Sequence, residues 1–408
     1  MTTRVNKSFK FRPSANFSST DDTLMELIIT FLEILGYWTR ADGVLHSWRA
    51  KLSFLLIIIW YTIPAFAFVY RQATGFRELI KALIEIIIIG KIICQTLSVI
   101  QSRPLLEKVY HEVRAILQHC SVDTQYDIQA AVRDTGSHTN RFFRLYLTCE
   151  ISASAVFSMI PVFITCVKYA VDAVVPLLTL SVEADFVLFD HTSSFWVWLP
   201  TALVSSMEML LLTLMACVQD SFNWCMVYQV SRLFSIIRMK ASRLDELLES
   251  EIFGEKLEEI VRMQDVAYRS AKQLKKVLSP LLLLLYGTCV VSLCMTMMVL
   301  TIARGDWQLL TNMIILVWYI FFQIFSYSVL GTELMNASTS VADAVYRIHW
   351  YKRRIAEQRL LLIVMMRSQR GASLTATDFF IVNRASFGMA LRSAFSYFTV
   401  LRQFYASK

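Results

Sequence analysis

Arg392, Ser396, Thr399 and Gln403 follow one another at intervals of four, three and four residues near the end of this 408-residue chain. At 3.6 residues per turn, that spacing lays all four on one side of a helix, with Val400 at the edge. The surrounding segment is otherwise apolar. A polar stripe on such a helix suits the lining of a water-filled path through a membrane. Small polar residues also pack against neighbouring helices in lipid, so the stripe alone leaves both readings open.

Other residues with chemical potential do not assemble into an enzyme signature. His111-Glu112 is followed by Val113-Arg114-Ala115, which lacks the second histidine of the zinc-protease helix pattern. His111 and His119 are eight apart and suit a helix surface better than a metal site. The chain has no Gly-rich phosphate loop and no Cys-x-x-Cys pair. Catalytic residues, metal ligands and cofactors are therefore not expected. Glu150, Glu208 and Glu333 lie in or near apolar segments, where interhelical hydrogen bonding is a simpler reading than proton relay.

The elements that must position the stripe are membrane helices. Hydrophobic residues make up 56% of the chain, aromatic residues 13%, and mean hydropathy is +0.49. Charged residues, at 18%, fall below the roughly 25% usual for soluble domains. The net charge of +8 is spread between apolar segments rather than gathered in one patch, which argues for membrane topology and against nucleic-acid binding. Seven windows reach the length of about 20 residues needed to span: 52–70, 79–100, 142–171, 195–218, 277–303, 311–335 and 379–401. The polar, basic stretch up to Thr23 has no signal-peptide pattern, so the first span is expected to direct insertion.

Lys and Arg set the orientation. Thirty lie on the side that holds the N-terminal segment, and seven lie on the other. The N-terminus is expected in the cytosol and the C-terminus outside. That polarity is opposite to a G-protein-coupled receptor. All eight cysteines fall in spans or cytosolic segments, and the sequons at Asn6, Asn16 and Asn336 fall on the cytosolic side. A proline-free stretch from Thr201 to Ser279, with Leu244, Leu247, Leu248 and Ile252 and then Leu257, Ile260 and Val261 at helical spacing, predicts two helices continuing the fourth and fifth spans into the cytosol. They should meet in a hairpin near 251–255. The absence of proline after Pro280 predicts that the sixth span runs inward past Tyr346. Residues 24–38 suit a short interfacial or re-entrant helix.

Several motifs make the chain resemble the insect odorant receptor family. Ser393 to Leu401 is similar to that family's closing Ser-Tyr-Ser-Tyr-Phe-Thr-Leu-Leu pattern, with Leu374-Thr375-Ala376 and Phe379-Phe380 ahead of it. Gly331, Ser338, Ser340, Val341, Ala344, Tyr346, His349, Trp350 and Tyr351 resemble the sixth-span exit of the family's co-receptor, and Leu35-Gly36-Tyr37-Trp38 a short N-terminal element. The topology match covers the whole chain. The motif match covers about the last fifth and that N-terminal piece.

The resemblance implies an all-α membrane protein of seven transmembrane helices with a cytosolic N-terminus, an extracellular C-terminus and helical extensions into the cytosol. It divides the chain into a cytosolic segment (1–51), a six-span bundle (52–335) with its hairpin near 227–276, a cytosolic anchor (336–378) and a pore-lining seventh span (379–408). The short 251–255 hairpin, where the co-receptor has a long insertion, implies a tuning subunit that joins co-receptor subunits in a plasma-membrane tetramer. Together they would form a cation channel opened by a small volatile ligand. The implied pocket lies in the outer half of the bundle, at Leu83, Ile87, Phe157, Met159, Trp196, Leu199, Leu203, Met298, Ile315, Trp318, Tyr319 and Phe322. The implied pore residues are Ser396, Thr399, Val400 and Gln403, with Val400 and Gln403 narrowest; Arg402 departs from the apolar residue of the co-receptor. Gustatory receptors share this architecture and remain an alternative. A secondary transporter would be expected to show paired repeats and broken helices, and none is found.

Overall fold

The computed structural model describes residues 20–37, 48–71, 76–121, 126–172, 178, 180, 182, 184–186, 189–302, 307–377 and 380–406. Asn6, Asn16, Trp38, Arg304, Phe379, Lys408 and the basic residues before residue 20 lie outside them. The chain runs α1 (Thr20–Ile34), α2 (Trp48–Ile57), α3 (Ile63–Arg71), α4 (Phe76–Ser121), α5 (Tyr126–Asp172), α6 (Phe195–Ser242), α7 (Phe253–Ile302), α8 (Trp307–Tyr346), α9 (Ile355–Gln369), β1 (Thr375–Ala376), β2 (Phe380–Ile381) and α10 (Arg384–Ala406).

Among the described residues, six stretches are long and apolar enough to cross a membrane: Trp48–Arg71, Glu78–Cys120, Arg144–Val171, Phe195–Leu247, Phe253–Thr301 and Leu310–Tyr346. α10, at 23 residues, has the length, but its polar stripe and arginines keep it outside that apolar set. The first stretch joins α2 to α3 through a π-turn at Ile58–Thr62. Pro64 explains it, because a proline has no N–H to give to the carbonyl four residues back, and the helix slips register to Ile63 N–H on Ile58 O. Ile58, Ile59, Ile63 and Phe66 are exposed on this helix, as a lipid-facing surface requires.

α6 and α7 continue past their apolar halves and meet in a tight connection, with a 3₁₀ turn at Arg243–Leu247 where a helix through Ile252 is predicted. Phe234 and Tyr268 meet edge to face with their ring centroids 4.9 Å apart, and Lys240 pairs with Glu259 at 2.5 Å. α9 docks here. Gln264 donates to Ser368 Oγ at 2.7 Å, and Arg367 lies over the Tyr268 ring at 3.9 Å. Beside them, hydrogen bonds from the Arg353 guanidinium hold the Glu357 carboxyl below the usual range. α1 packs on α5 and α6 with Met25, Ile28 and Leu32 buried.

Two expectations for the last third are corrected. α8 stops at Tyr346 rather than running on, because Asp245 accepts the His349 backbone N–H at 2.9 Å and turns the chain. The seventh helix starts at Arg384, not at 379. Phe380 and Ile381 pair with Ala376 and Thr375 as β2. The side chain of Asn383 then accepts the Ser386 N–H at 2.8 Å and caps the new helix. Gly331 lets α8 pass this hairpin, since any Cβ there would overlap the Val382 carbonyl. Tyr286 of α7 locks the junction through the hydroxyls of Ser328 at 2.6 Å and Ser386 at 3.1 Å. Phe398 joins Ile80, Met298, Val299 and Met313 in a second buried cluster, so α10 ends at the end of the bundle away from the α6–α7 connection.

Candidate functional site

Lys91 interrupts a run of isoleucines in the middle of α4. A lone ammonium in hydrocarbon costs several kcal/mol or more, so it needs partners from other helices. It has them. The ammonium donates to Gln323 Oε1 at 2.7 Å and to the Tyr319 hydroxyl at 2.9 Å, both on α8. The amide nitrogen of the same Gln323 donates to Asp220 of α6 at 2.6 Å. Asp220 also accepts from Gln95 at 2.8 Å, from Tyr327 at 3.3 Å and, more weakly, from Tyr146 of α5 at 3.4 Å. Asn223 donates to the Tyr327 hydroxyl at 3.3 Å.

Helical spacing explains how so few residues tie four helices. Lys91 and Gln95 are one turn apart on α4, and Tyr319, Gln323 and Tyr327 occupy three successive turns of α8. Each helix offers one polar strip to a shared interior. A gap of about 10 Å³ beside the network, bounded by Leu281 and Leu285 of α7, has room for one water.

An aromatic wall stands against this network. Phe322 stacks on Tyr146 at 5.2 Å and on Phe142 at 5.8 Å, and Trp224 meets Tyr146 edge to face at 4.6 Å. On the other side of the wall lies a half-open cavity of about 300 Å³ between α5, α6 and α8, toward the α6–α7 connection.

The residues expected at the ligand pocket are distributed widely. Tyr319 and Phe322 meet at the polar network and its aromatic wall. Leu83 and Ile87 are half-buried on α4, with Ile87 one turn before Lys91. Phe157 is buried in the main core, Met159 is half-buried, and Ile315 packs against that core. Leu199 packs with Phe195 and Trp198 in a separate cluster, and Met298 belongs to the cluster around Phe398. Trp196, Leu203 and Trp318 point outward, with Trp196 73% exposed. None of the twelve is among the described residues lining the 300 Å³ cavity.

On α10, Ala390, Ala394 and Phe398 face the bundle. Ser396, Val400 and Gln403 are exposed on the open side, as are Arg392 and Arg402, while Thr399 is half-buried and donates to the Ser396 carbonyl at 2.8 Å. The polar stripe is therefore not consumed by packing within this chain. Sequence reasoning passed over Lys91, Asp220 and Gln323. The available signal was a lysine amid isoleucines, with Gln95 one turn on and a Tyr-x₃-Gln-x₃-Tyr strip in the sixth span.

Known proteins agree with this architecture. The family model "7tm Odorant receptor" matches residues 75–395. The odorant receptor coreceptor of Ooceraea biroi is 34% identical over 85 residues, 21% of this chain and 18% of its own. Odorant receptor 22c of Drosophila melanogaster is 33% identical over 82 residues, 20% of each chain. These alignments thus span about a fifth of the relatives' length. The olfactory receptor OR5 of Machilis hrabei, solved with eugenol, superposes with a TM-score of 0.77 over 94% of this chain and 98% of its own at 17% identity, a likeness of fold. This multi-pass helical membrane protein belongs to the 7tm odorant receptor family.

Proposed function

We propose that this receptor is the odorant-binding subunit of a heteromeric, ligand-gated, non-selective cation channel in the plasma membrane, assembled as a tetramer with co-receptor subunits. The carrying observation is the open face of α10. A helix that buries Ala390, Ala394 and Phe398 against its own bundle while leaving Ser396, Val400 and Gln403 uncovered has a polar surface available to a shared axis. Val400 supplies a hydrophobic constriction there, and Gln403 a neutral polar ring member. Arg402 turns from the axis or is diluted by partner subunits. The N-terminus and the α6–α7 connection lie in the cytosol, with the C-terminus outside, in keeping with the 30-to-7 split of basic residues.

The odorant sits in the outer half of the bundle among Leu83, Ile87, Phe157, Met159, Leu199, Met298, Ile315, Tyr319 and Phe322, with Trp196, Leu203 and Trp318 at its margin. Apolar walls bury the ligand, and the Tyr319–Lys91 pair offers the one strongly polar feature. The test is co-expression with a co-receptor and a chemically broad volatile panel, recorded in excised patches free of nucleotide and G protein. Odorant-evoked cation current that requires both subunits is the expected result. Current that needs G protein, or concentrative uptake of ligand, would overturn the channel reading.

A further inference from the structure

The 300 Å³ cavity has a chemistry of its own. Its walls are largely aromatic and aliphatic, with Phe142, Trp224, Phe325 and Val329 among them, and Glu333 of α8 brings a carboxylate to it. Glu333 has no ion-pair partner among the described residues. Trp224 is 4% exposed, and its indole N–H has no hydrogen-bond partner. A carboxylate against an apolar wall disfavours anions and is left uncompensated by a purely apolar guest. It favours a cation, and an indole face adds further attraction for one. The volume lies at the small end of ligand pockets, which suits a single-ring compound rather than a large one. Flat aromatic walls complement a ring through stacked or edge-to-face contacts.

We propose that this cavity is a second ligand site, separate from the outer odorant pocket, which takes a small ring-bearing primary amine with its ammonium paired to Glu333 and its ring against Trp224. The site has a route to the rest of the molecule. Trp224 touches Tyr146 at 4.6 Å and Tyr327 at 5.8 Å, and both tyrosines hydrogen-bond to Asp220. An occupant that shifts Trp224 therefore acts on the side chains that hold the buried network.

The test uses the purified full chain in phosphatidylcholine nanodiscs, with 2-phenylethylamine as probe and propylbenzene as its uncharged counterpart, read by calorimetric titration. Glu333→Gln is expected to weaken amine binding tenfold or more and leave propylbenzene binding and the melting curve unchanged. Val329→Trp, which fills the cavity, is expected to remove the Glu333-dependent part of amine binding. Equal amine affinity in the wild type and in folded Glu333→Gln overturns the assignment, whatever Val329→Trp does. Loss of amine binding on adding phosphatidylethanolamine would make the occupant a lipid ammonium and would also overturn it.

Discussion

Lys91 and Asp220, on different helices, are joined through the single side-chain amide of Gln323, which accepts from the ammonium at 2.7 Å and donates to the carboxylate at 2.6 Å. The amide turns two buried charges into a continuous chain of hydrogen bonds from α4 through α8 to α6. Such a network is stable only while every member is satisfied.

Breaking one end should therefore harm the protein more than removing both. Lys91→Met alone, or Asp220→Leu alone, leaves a buried charge without its counterpart and should cost about 3–5 kcal/mol, whereas the double variant should recover most of that loss. Thermal melting in detergent, with surface expression alongside, measures the difference. A double variant as unstable as the sum of its parents would show that the two charges are not coupled.

Ligand potency should separate three neighbouring aromatic residues of α8. Tyr319 and Phe322 lie inside the bundle, while Trp318 is 53% exposed. A lost aromatic contact is worth roughly 1–3 kcal/mol, so Tyr319→Ala or Phe322→Ala should shift the odorant dose–response about tenfold or more. Trp318→Ala should shift it less. Dose–response curves from cells matched for surface receptor decide the matter, and unchanged potency at both inner positions moves the pocket elsewhere.

Substitutions at Val400 or Gln403 should alter permeation without altering recognition. Both are exposed on α10, away from the bundle. Val400→Ala and Gln403→Glu are expected to change relative cation permeability or channel block while odorant potency stays within about twofold, a difference of under 0.5 kcal/mol. Reversal potentials under bi-ionic conditions provide the readout. A potency shift with permeation intact would assign this helix to the pocket instead.

Gly331→Ala should destabilise the junction of α8 with the β-hairpin. Its new methyl group would collide with the Val382 carbonyl, which is backbone and cannot rotate away. Overpacking of this kind costs about 1–3 kcal/mol. A lower melting temperature and reduced surface delivery are expected, and wild-type melting would refute the steric account.

Epitope tags give the direct check of orientation. A tag after Lys408 should bind antibody on intact cells, and a tag before Met1 should bind only after permeabilisation. The reverse pattern would invert the topology inferred from the basic residues.

What sequence by itself determined were the properties that depend on local composition and period. Long apolar runs of about 20 residues form helices because lipid offers their backbone groups no partner outside the segment, and Pro-free apolar periodicity between 201 and 279 continued two of them past their apolar halves. The stripe of Ser396, Thr399 and Gln403 followed from helical spacing alone. Tertiary structure decided everything that depends on which helices meet. Lys91 has no partner within four residues on its own helix, and its stabilising groups come from positions 228 and 232 residues away in sequence. The start of α10 at Arg384 was likewise hidden, because the apolar residues Phe380 and Ile381 read equally well as helix until a neighbouring strand and the Asn383 cap are in place. Hydropathy averages along the chain, whereas burial, charge pairing and cavity shape arise between segments distant in it, and only the packed bundle brings those together.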